Sequence, residues 1–341
     1  DNALNGTNTP ATDGRLFLRP YGLAPDIGAV ETRRLVVNTT VDENDGINNN
    51  GVSLRDAIGV FVHAGAPEEG VAFDPAVFPP GLETSIEITN GPIVIGGSNA
   101  GLIVDGTGHV LPDGNPGIII DGLDSTHLLE IAAAGDGSFK NVWFRGGASS
   151  TAGGGIWNAG TLRLNQCHIT NCLTLDGKDE IPGQAATSGA NGGAIYSTGT
   201  LFLTDCLVAD NRTGDGGNAD PLGAAFGREG GDGGAVYCTS AELVRSRFVG
   251  NRTGASGESG KDELGGLGGN GGAVFSSDLL IVEACEFFEN QTGRGGKGGS
   301  RITGAGLSGG SGGNPGGANS HIVLMASFRA SAKGKQNSGG K

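Results

Sequence analysis

One short phrase recurs four times along this chain, and its spacing constrains the fold more than any other feature. Each copy opens with glycine, continues through alternating apolar residues and closes at a polar turn. The copies occupy residues 153–172, 192–211, 233–251 and 271–290. An aromatic residue holds one shared position, at Trp157, Tyr196, Tyr237 and Phe275, which gives periods of 39, 41 and 38 residues. Periods in this range indicate a repeat array.

Each copy is too short and too strand-like to bury a core alone, so neighbouring copies must stack their apolar faces. The phrases GAIY, TLFL and LVADN within residues 193–211 supply three short strands per copy. Residues 84–145 carry further short β-segments, which Asn-Gly, Gly-Gly and Asp-Gly turns divide. The sequence therefore predicts an all-β chain that folds as a right-handed parallel β-helix.

The pattern divides the chain into four stretches. They are a tail of a preceding unit or anchor-like segment (1–34), a strand and capping-helix region (35–83), the parallel β-helix (84–292) and a flexible glycine-rich tail (293–341). The helix is expected to open at Ser53, where Asp56 gives a capping-box-like start, and to place Leu54, Ala57, Ile58 and Phe61 on one face. A short helix ahead of a β-array is suited to cap its exposed end.

Long glycine-rich inserts separate the copies and leave the coil at one corner. They span residues 173–191, 212–232, 252–270 and 291–313. The chain contains 68 glycines, a composition that suits tight turns, close backbone approach and flexible loops. Residues 254–271 are therefore expected to be flexible, as is the tail.

The asparagines that close the later copies are expected to form a structural ladder. They are Asn211, Asn251 and Asn290. Amide side chains that lie one above another in a parallel coil can hydrogen-bond along its axis and to the turn backbone. The first copy has Cys172 at this place. The same asparagines open N-R-T and N-Q-T sequons, so glycosylation is the alternative reading.

Three cysteines share another repeat position, at Cys167, Cys206 and Cys285, with Ser246 at this position in the third copy. Neighbouring coils lie about 4.8 Å apart, close enough for a disulfide between Cys167 and Cys206. The alternative is a stack of small buried thiols, which the usual burial of free cysteine favours. The chain has an odd number of cysteines, 5, and none of them forms a metal-type CxxC pair.

Charge restricts the class of partner. A formal net charge of −14 argues against nucleic acid, because binding to phosphates needs clustered lysine and arginine. No apolar run approaches the roughly 18 residues that span a bilayer. Neutral or cationic partners are expected: other surface or matrix proteins, glycans, or a second copy of the chain.

Catalysis and metal binding are weaker alternatives. A polysaccharide lyase or hydrolase would draw on acidic groups of the early coils and nearby arginines, namely Asp105, Asp113, Asp121, Asp124, Arg145 and Arg163. Most of these acids stand in Asp-Gly turns, where aspartate is favoured for backbone hydrogen bonding alone. The inserts offer possible Ca²⁺ ligands at Asp215, Asp220, Asp232, Glu258, Asp262 and Glu263. Because they lack the nonapeptide rhythm of Ca²⁺-loading repeats, we expect no cofactor, with Ca²⁺ as a side hypothesis.

The repeat phrases resemble those of chlamydial polymorphic outer-membrane proteins and related bacterial surface β-helices. The resemblance rests on GGAI or GGAV followed by an apolar-x-x-Asn phrase, as at 192–195 with 208–211. VSLRDAI at 52–58 is similar to a CSLREA segment, with Val52 where cysteine is usual, and APDIGAVE at 24–31 resembles the end of a choice-of-anchor Q domain. This resemblance implies secretion, a cell-surface or extracellular location and an adhesive role.

Two functions therefore remain in view. The first is a non-catalytic surface or extracellular-matrix protein that serves in adhesion or self-assembly. The second is a polysaccharide lyase or glycoside hydrolase that acts on acidic glycans along the β-helix face. Scatter of the acidic residues over separate turns favours the first.

Overall fold

A computed structural model describes residues 34–47, 51–60, 70–99, 101–299, 321–325 and 329–331. The segment that resembles an anchor domain, residues 24–31, lies outside these ranges. The chain forms a parallel β-solenoid of about 7 turns, so the all-β solenoid prediction is confirmed.

The regular elements are short strands and one helix. In chain order they are β1 (Arg34–Val37), α1 (Leu54–Val60), β2 (Gly70–Phe73), β3 (Thr84–Glu87), β4 (Ile93–Ile95), β5 (Leu102–Asp105), β6 (Ile118–Asp121), β7 (Leu129–Ile131), β8 (Asp136–Lys140), β9 (Val142–Arg145), β10 (Ala148–Ser149), β11 (Ile156–Asn158), β12 (Thr161–Asn165), β13 (His168–Thr170), β14 (Leu173–Thr174), β15 (Ile195–Thr204), β16 (Leu207–Ala209), β17 (Val236–Val244), β18 (Arg247–Val249), β19 (Val274–Glu283), β20 (Glu286–Phe288), β21 (His321–Met325) and β22 (Arg329–Ser331). A single 3-10 turn covers Gly97–Asn99.

The strands stack in three parallel columns. The first runs β4, β7, β11, β15, β17 and β19; the second runs β1, β2, β5, β8, β12, β15, β17, β19 and β21. The third runs β3, β6, β9, β13, β16, β18, β20 and β22. Strands β15, β17 and β19 belong to two columns, because each continues around the corner between them.

The core lies inside the coil and is built from equivalent residues of successive turns. Ile156, Ile195, Val236 and Val274 pair in register and are all buried. The shared aromatic position lies next to them and faces outward. There Tyr196, Tyr237 and Phe275 stack at ring-centroid distances of 5.1 Å. Because the rings lie nearly parallel along the axis, both faces of Tyr237 are covered by its neighbours.

The glycine pair that opens each copy has a steric cause. The first glycine of each pair adopts a φ between +65° and +69°, at Gly153, Gly192, Gly233 and Gly271. A Cβ atom there would lie within 2.4 Å of the carbonyl oxygen three residues ahead. The second glycine packs against the next turn: a Cβ atom added to Gly193 would lie 2.1 Å from the Gly234 carbonyl oxygen. Both positions therefore exclude side chains.

Helix α1 packs against β1 and β2, the first strands of the second column, with Leu54, Ala57 and Ile58 buried. Phe61 lies outside the described residues. Ser53 and Asp56 form the expected capping box: the Asp56 N–H donates to Ser53 Oγ at 3.0 Å and the Ser53 N–H donates to the Asp56 carboxylate at 3.2 Å. Arg55 pairs with Asp42 at 2.7 Å. Burial alone would raise the pKa of Asp42, but hydrogen bonds from Arg55 and from the Asn90 and Thr89 N–H groups lower it. The SLRD segment thus anchors the cap through buried polar contacts.

Strand pairing continues beyond residue 292, where the repeats were expected to end. The strand β21 pairs with β19, and β22 pairs with β20, both in parallel register. Residues 293–299 also hydrogen-bond to the preceding insert. Apart from these residues and the two strands, the tail that was expected to be flexible lies outside the described residues. Among the described residues, no helix has the length and apolarity that crossing a bilayer would demand.

Candidate functional site

The asparagines Asn211, Asn251 and Asn290 lie one above another inside the coil. The Asn211 Nδ2 donates to Asn251 Oδ1 at 2.9 Å, and the Asn251 Nδ2 donates to Asn290 Oδ1 at 2.9 Å. Each Oδ1 also accepts the backbone N–H of the turn before it, with Cys172 as the first donor at 2.9 Å. The residue preceding each of these positions has a positive φ, which turns the chain inward at this corner. The side-chain amides thereby provide hydrogen-bond partners for backbone groups of the turn that water cannot reach.

The threonines two residues after Cys172, Asn211 and Asn251 form a second ladder, which the sequence analysis missed. The hydroxyls of Thr174, Thr213 and Thr253 donate to carbonyls on the return leg of each insert and accept an N–H from the next turn. Thr213 and Thr253 are fully buried, and the exposed fraction of Asn211 and Asn251 is no more than 1%. The recurrence of Asn-x-Thr was the available signal. Because these amides are enclosed and hydrogen-bonded, the folded solenoid offers no glycan acceptor at Asn211 or Asn251.

The cysteines Cys167, Cys206 and Cys285 form a column with Ser246 at the next corner of the coil. All three thiols are free and buried, as are Cys172 and Cys238. The structure therefore has stacked thiols and no disulfide between Cys167 and Cys206. The Cys206 N–H donates to Ser246 Oγ at 3.1 Å, and the Ser246 N–H donates to Cys285 Sγ at 3.4 Å. Burial raises the pKa of the Cys167 and Cys172 thiols to about 12.

These thiols are expected to resist alkylation in the folded protein. Thiolate is the species that reacts. Burial keeps the thiols protonated and also prevents the reagent from reaching them. Treatment of the native chain with an excess of maleimide should leave all 5 cysteines unmodified by mass spectrometry, whereas the denatured chain should take up 5 labels. Rapid labelling of Cys167 or Cys206 in the native chain would contradict the closed core, because both lie in central turns.

The inserts are stacked chains with a three-residue hydrogen-bond period. Each outgoing leg donates every third N–H to the carbonyl of the same leg one turn later. Three-residue spacing without internal hydrogen bonds is the rhythm of a polyproline II chain. The donor–acceptor pairs are Gly177–Asp215, Glu180–Asn218, Gly216–Ala255, Ala219–Glu258, Ser256–Arg294 and Ser259–Lys297, at 2.7–3.0 Å. Residues 254–271 are therefore ordered between two neighbouring inserts, and the expectation of flexibility there was wrong.

Glycine in the inserts permits this close stacking. A Cβ atom on Gly214, Gly254 or Gly293 would lie 1.6–1.9 Å from a carbonyl oxygen of the insert below. None of these three glycines has a positive φ. Glycine is therefore needed here because there is no room for a side chain, and not because of its backbone conformation. The inserts form one packed slab beside the solenoid, which we call the insert array (173–191, 212–232, 252–270 and 291–299).

The first insert ends the array with side chains. Where all three later inserts have glycine, it has Leu175 and Lys178, both exposed. No described insert lies beneath them, so these side chains have room. They also block docking of another chain in the array geometry, which would place a carbonyl where their Cβ atoms stand. An exposed edge of unpaired backbone invites association, and bulky or charged side chains protect it.

The loop carboxylates proposed as calcium ligands hold the array together. Asp215 accepts the Ala255 N–H at 2.8 Å, and Asp232 accepts the Asn270 N–H at 2.6 Å. Burial raises the pKa of Asp232, although the hydrogen bonds from Asn270 oppose this. Glu258 pairs with Lys297 at 2.7 Å. Calcium binding here stays a prediction.

Within the described part of the chain, three carboxylates do converge near the cap. They are Glu43, Asp45 and Asp56, with oxygens within 4.8 Å of one another. Asp56 is already used by the capping box, and its other oxygen accepts the Gly46 N–H at 2.9 Å. Burial and then repulsion from Asp45 and Asp56 raise the pKa of Glu43. These hydrogen bonds account for Asp56, whereas Glu43 Oε1 is buried without a hydrogen-bond partner among the described residues.

The tips of the second and third inserts expose large apolar side chains. Leu222 is 86% exposed, Phe226 55%, Leu264 54% and Leu267 49%. A groove of about 470 Å³ runs between Phe226 and Leu267, with Arg228 and Glu229 also in its wall. We call these four residues and the groove the tip surface. Of the four, Phe226 and Leu267 line the groove, and an exposed apolar patch with polar residues around it is typical of an interaction site.

The acidic candidates for catalysis are dispersed over turns and ion pairs. Asp121 pairs with Arg145 at 2.6 Å, Asp105 lies 3.5 Å from Arg34, and Arg163 pairs with Asp136. Asp113 accepts the Asn115 N–H within its own turn. Hydrogen bonds from Thr107 and the charge of Arg34 lower the pKa of Asp105 against the opposing effect of burial.

One groove gathers three carboxylates. Asp124, Asp176 and Asp210 line a cavity of about 340 Å³ beneath the first insert, together with Arg212. Arg212 lies 3.5 Å from Asp176 and 3.0 Å from Asp215, so part of this charge is neutralised. Of the early-coil candidates, Asp124 alone lines this groove, and no sequence pattern singled out Asp176 or Asp210.

Comparison with known proteins assigns no relative to this chain. No protein-family model, no curated protein and no solved structure matches it. The structure itself shows a parallel β-solenoid.

Proposed function

We propose that this chain is a non-catalytic scaffold of a bacterial cell surface or extracellular matrix that binds partners through its insert array. The single observation that carries the proposal is the tip surface, held at a fixed place by the array. Binding sites are commonly loops that a rigid framework positions. The solenoid supplies the framework, and the array extends that rigidity outward.

The packing of the array supports a binding role over a spacer role. A loop that served only as a connection would not need glycine at each close contact or a carboxylate for the next N–H. Here the insert backbone is ordered before any partner arrives, which lowers the entropy that association costs. Location at the surface or in the matrix rests on the resemblance to polymorphic outer-membrane protein repeats and the CSLREA-like segment.

A polysaccharide lyase or hydrolase is the second candidate function. The groove of Asp124, Asp176 and Asp210 is the observation that favours it, since glycosidases act through paired carboxylates. The ion pair of Asp176 with Arg212 weighs against it.

A polysaccharide panel separates the two functions. The purified chain is incubated with acidic and neutral polysaccharides, with and without Ca²⁺, and both released chain ends and co-sedimented protein are measured. We expect no new chain ends, and retention on at least one polysaccharide if the adhesive partner is a glycan. Chain ends released by the native protein and lost in Asp124→Asn would overturn the proposal in favour of the enzyme. If neither retention nor cleavage occurs, the result points to self-assembly or to a purely structural rod.

A further inference from the structure

The tip surface is built from backbone that is already fixed. Ser259 Oγ accepts the Gly227 N–H at 2.9 Å and donates to the Leu264 carbonyl at 2.6 Å, which joins the second and third inserts. The Gly260 N–H donates to the Ala225 carbonyl at 2.8 Å. Phe226 and Leu264 therefore lie on two loops that hydrogen bonds join to each other. Both side chains are exposed although the backbone that carries them is ordered.

The loops that carry the tip surface, which we call its rim, are acidic in sequence, although Arg228 and Glu229 in the groove wall balance each other. Four carboxylates lie on the same loops, at Asp220, Glu229, Asp262 and Glu263, against the two cations Arg228 and Lys261. The whole chain adds to this field, with a formal charge of −14. An apolar centre inside an acidic rim is complementary to an apolar side chain that basic residues flank.

We propose that the tip surface docks a polypeptide segment in which a large apolar side chain is flanked by lysine or arginine. The apolar side chain enters the groove between Phe226 and Leu267, whose volume of about 470 Å³ falls within the range of clefts that bury ligands. The flanking cations face Glu229 and the acids of the tip loops. This inference rests on the proposed function and names the class of its partner.

Charge also argues against the other occupants. A second copy would bring an equally acidic surface, and like-charged surfaces repel. Anionic lipid headgroups would be repelled for the same reason, because membrane surfaces attract basic segments. A basic polypeptide is the occupant that the rim favours.

Three labelled peptides test the proposal by fluorescence polarisation with the full chain. One has Leu-Phe between lysines, one has Leu-Phe between glutamates, and one has Ser-Ser between lysines. We expect the first to bind at least about tenfold more tightly than either of the others, since apolar contact and charge must act together. The serine peptide is essential, because an acidic protein attracts any polycation weakly.

Matched variants locate the site. The double variant Phe226→Ser with Leu267→Ser should weaken binding of the first peptide at least about tenfold. Leu82→Ser removes an apolar side chain that is 61% exposed in an early turn and should leave binding unchanged. Circular dichroism checks that both variants fold.

The proposal is overturned if the serine peptide binds as tightly as the first, or if the double variant binds as well as Leu82→Ser. It is also overturned if the tip surface mediates binding to vesicles of anionic lipid, or a concentration-dependent dimer, in place of peptide binding. Polysaccharide cleavage would remove the scaffold function and leave the peptide result standing, so the two failures are distinguishable.

Discussion

Gly254→Ala is expected to disrupt the insert array and lower the local free energy of unfolding by about 3 kcal/mol or more, because the added methyl group cannot be accommodated. Its Cβ would lie 1.8 Å from the Gly214 carbonyl oxygen, and that atom belongs to backbone. The second and third inserts must separate, which strains the hydrogen bond from the Gly254 N–H to Thr213 Oγ1 at 2.9 Å. Native-state hydrogen exchange should show faster exchange at Gly216 and Ala219.

A glycine elsewhere in the array provides the control. At Gly223 an added Cβ meets its nearest atom at 3.4 Å, an ordinary contact, and φ is not positive. Gly223→Ala should therefore change local stability by less than about 1 kcal/mol. Equal protection in Gly254→Ala and Gly223→Ala would mean that the inserts are loosely held, and the rigid mounting of the tip surface would then fail as well.

The strands were predictable because their signal is periodic in two ways. Apolar residues alternate within each copy, and the copies recur every 38 to 41 residues. Ile195 and Val236 therefore occupy equivalent positions, which predicts that they stack in the core. The ladder asparagines were predictable for the same reason. A parallel coil places equivalent residues in register, and Asn251 can only meet Asn211 and Asn290 there.

The array was not predictable from composition. Glycine-rich sequence reads as flexible because most glycines confer freedom, and nothing local separates freedom from close packing. The distinguishing sign is that Gly214, Gly254 and Gly293 align once the copies are superposed, and Gly217, Gly257 and Gly296 follow three residues later. That register becomes visible only when the coil geometry is known.

Other misses have a similar origin. The pairing of Asp121 with Arg145 joins residues 24 positions apart on adjacent strands, and the early coils lack the regular period that would reveal it. The groove of Asp124, Asp176 and Asp210 forms where the array overhangs coils without inserts. Both depend on how turns of unequal length stack, which local pattern does not encode.

Asn251→Ala is expected to destabilise the solenoid by about 3 kcal/mol, because buried backbone loses partners that water cannot replace. Asn251 is fully buried and at the centre of its ladder. Its Oδ1 accepts both the Asn211 N–H at 3.1 Å and the Asn211 Nδ2, and its Nδ2 donates to the Val208 carbonyl at 2.9 Å. The variant leaves the Asn211 N–H enclosed without an acceptor. Thermal unfolding followed by circular dichroism measures the loss.

A stacked asparagine on the surface shows whether burial or hydrogen bonding causes the loss of stability. Asn218 occupies an equivalent stacked position on the surface of the array, where its Oδ1 accepts the Glu258 N–H at 2.8 Å. Water can replace that partner, so Asn218→Ala should cost no more than about 1 kcal/mol. If Asn251→Ala melted at the wild-type temperature, the inner ladder would be a consequence of register and not a source of stability. If both variants lost the same stability, stacking of amides along the axis would matter more than their enclosure in the core.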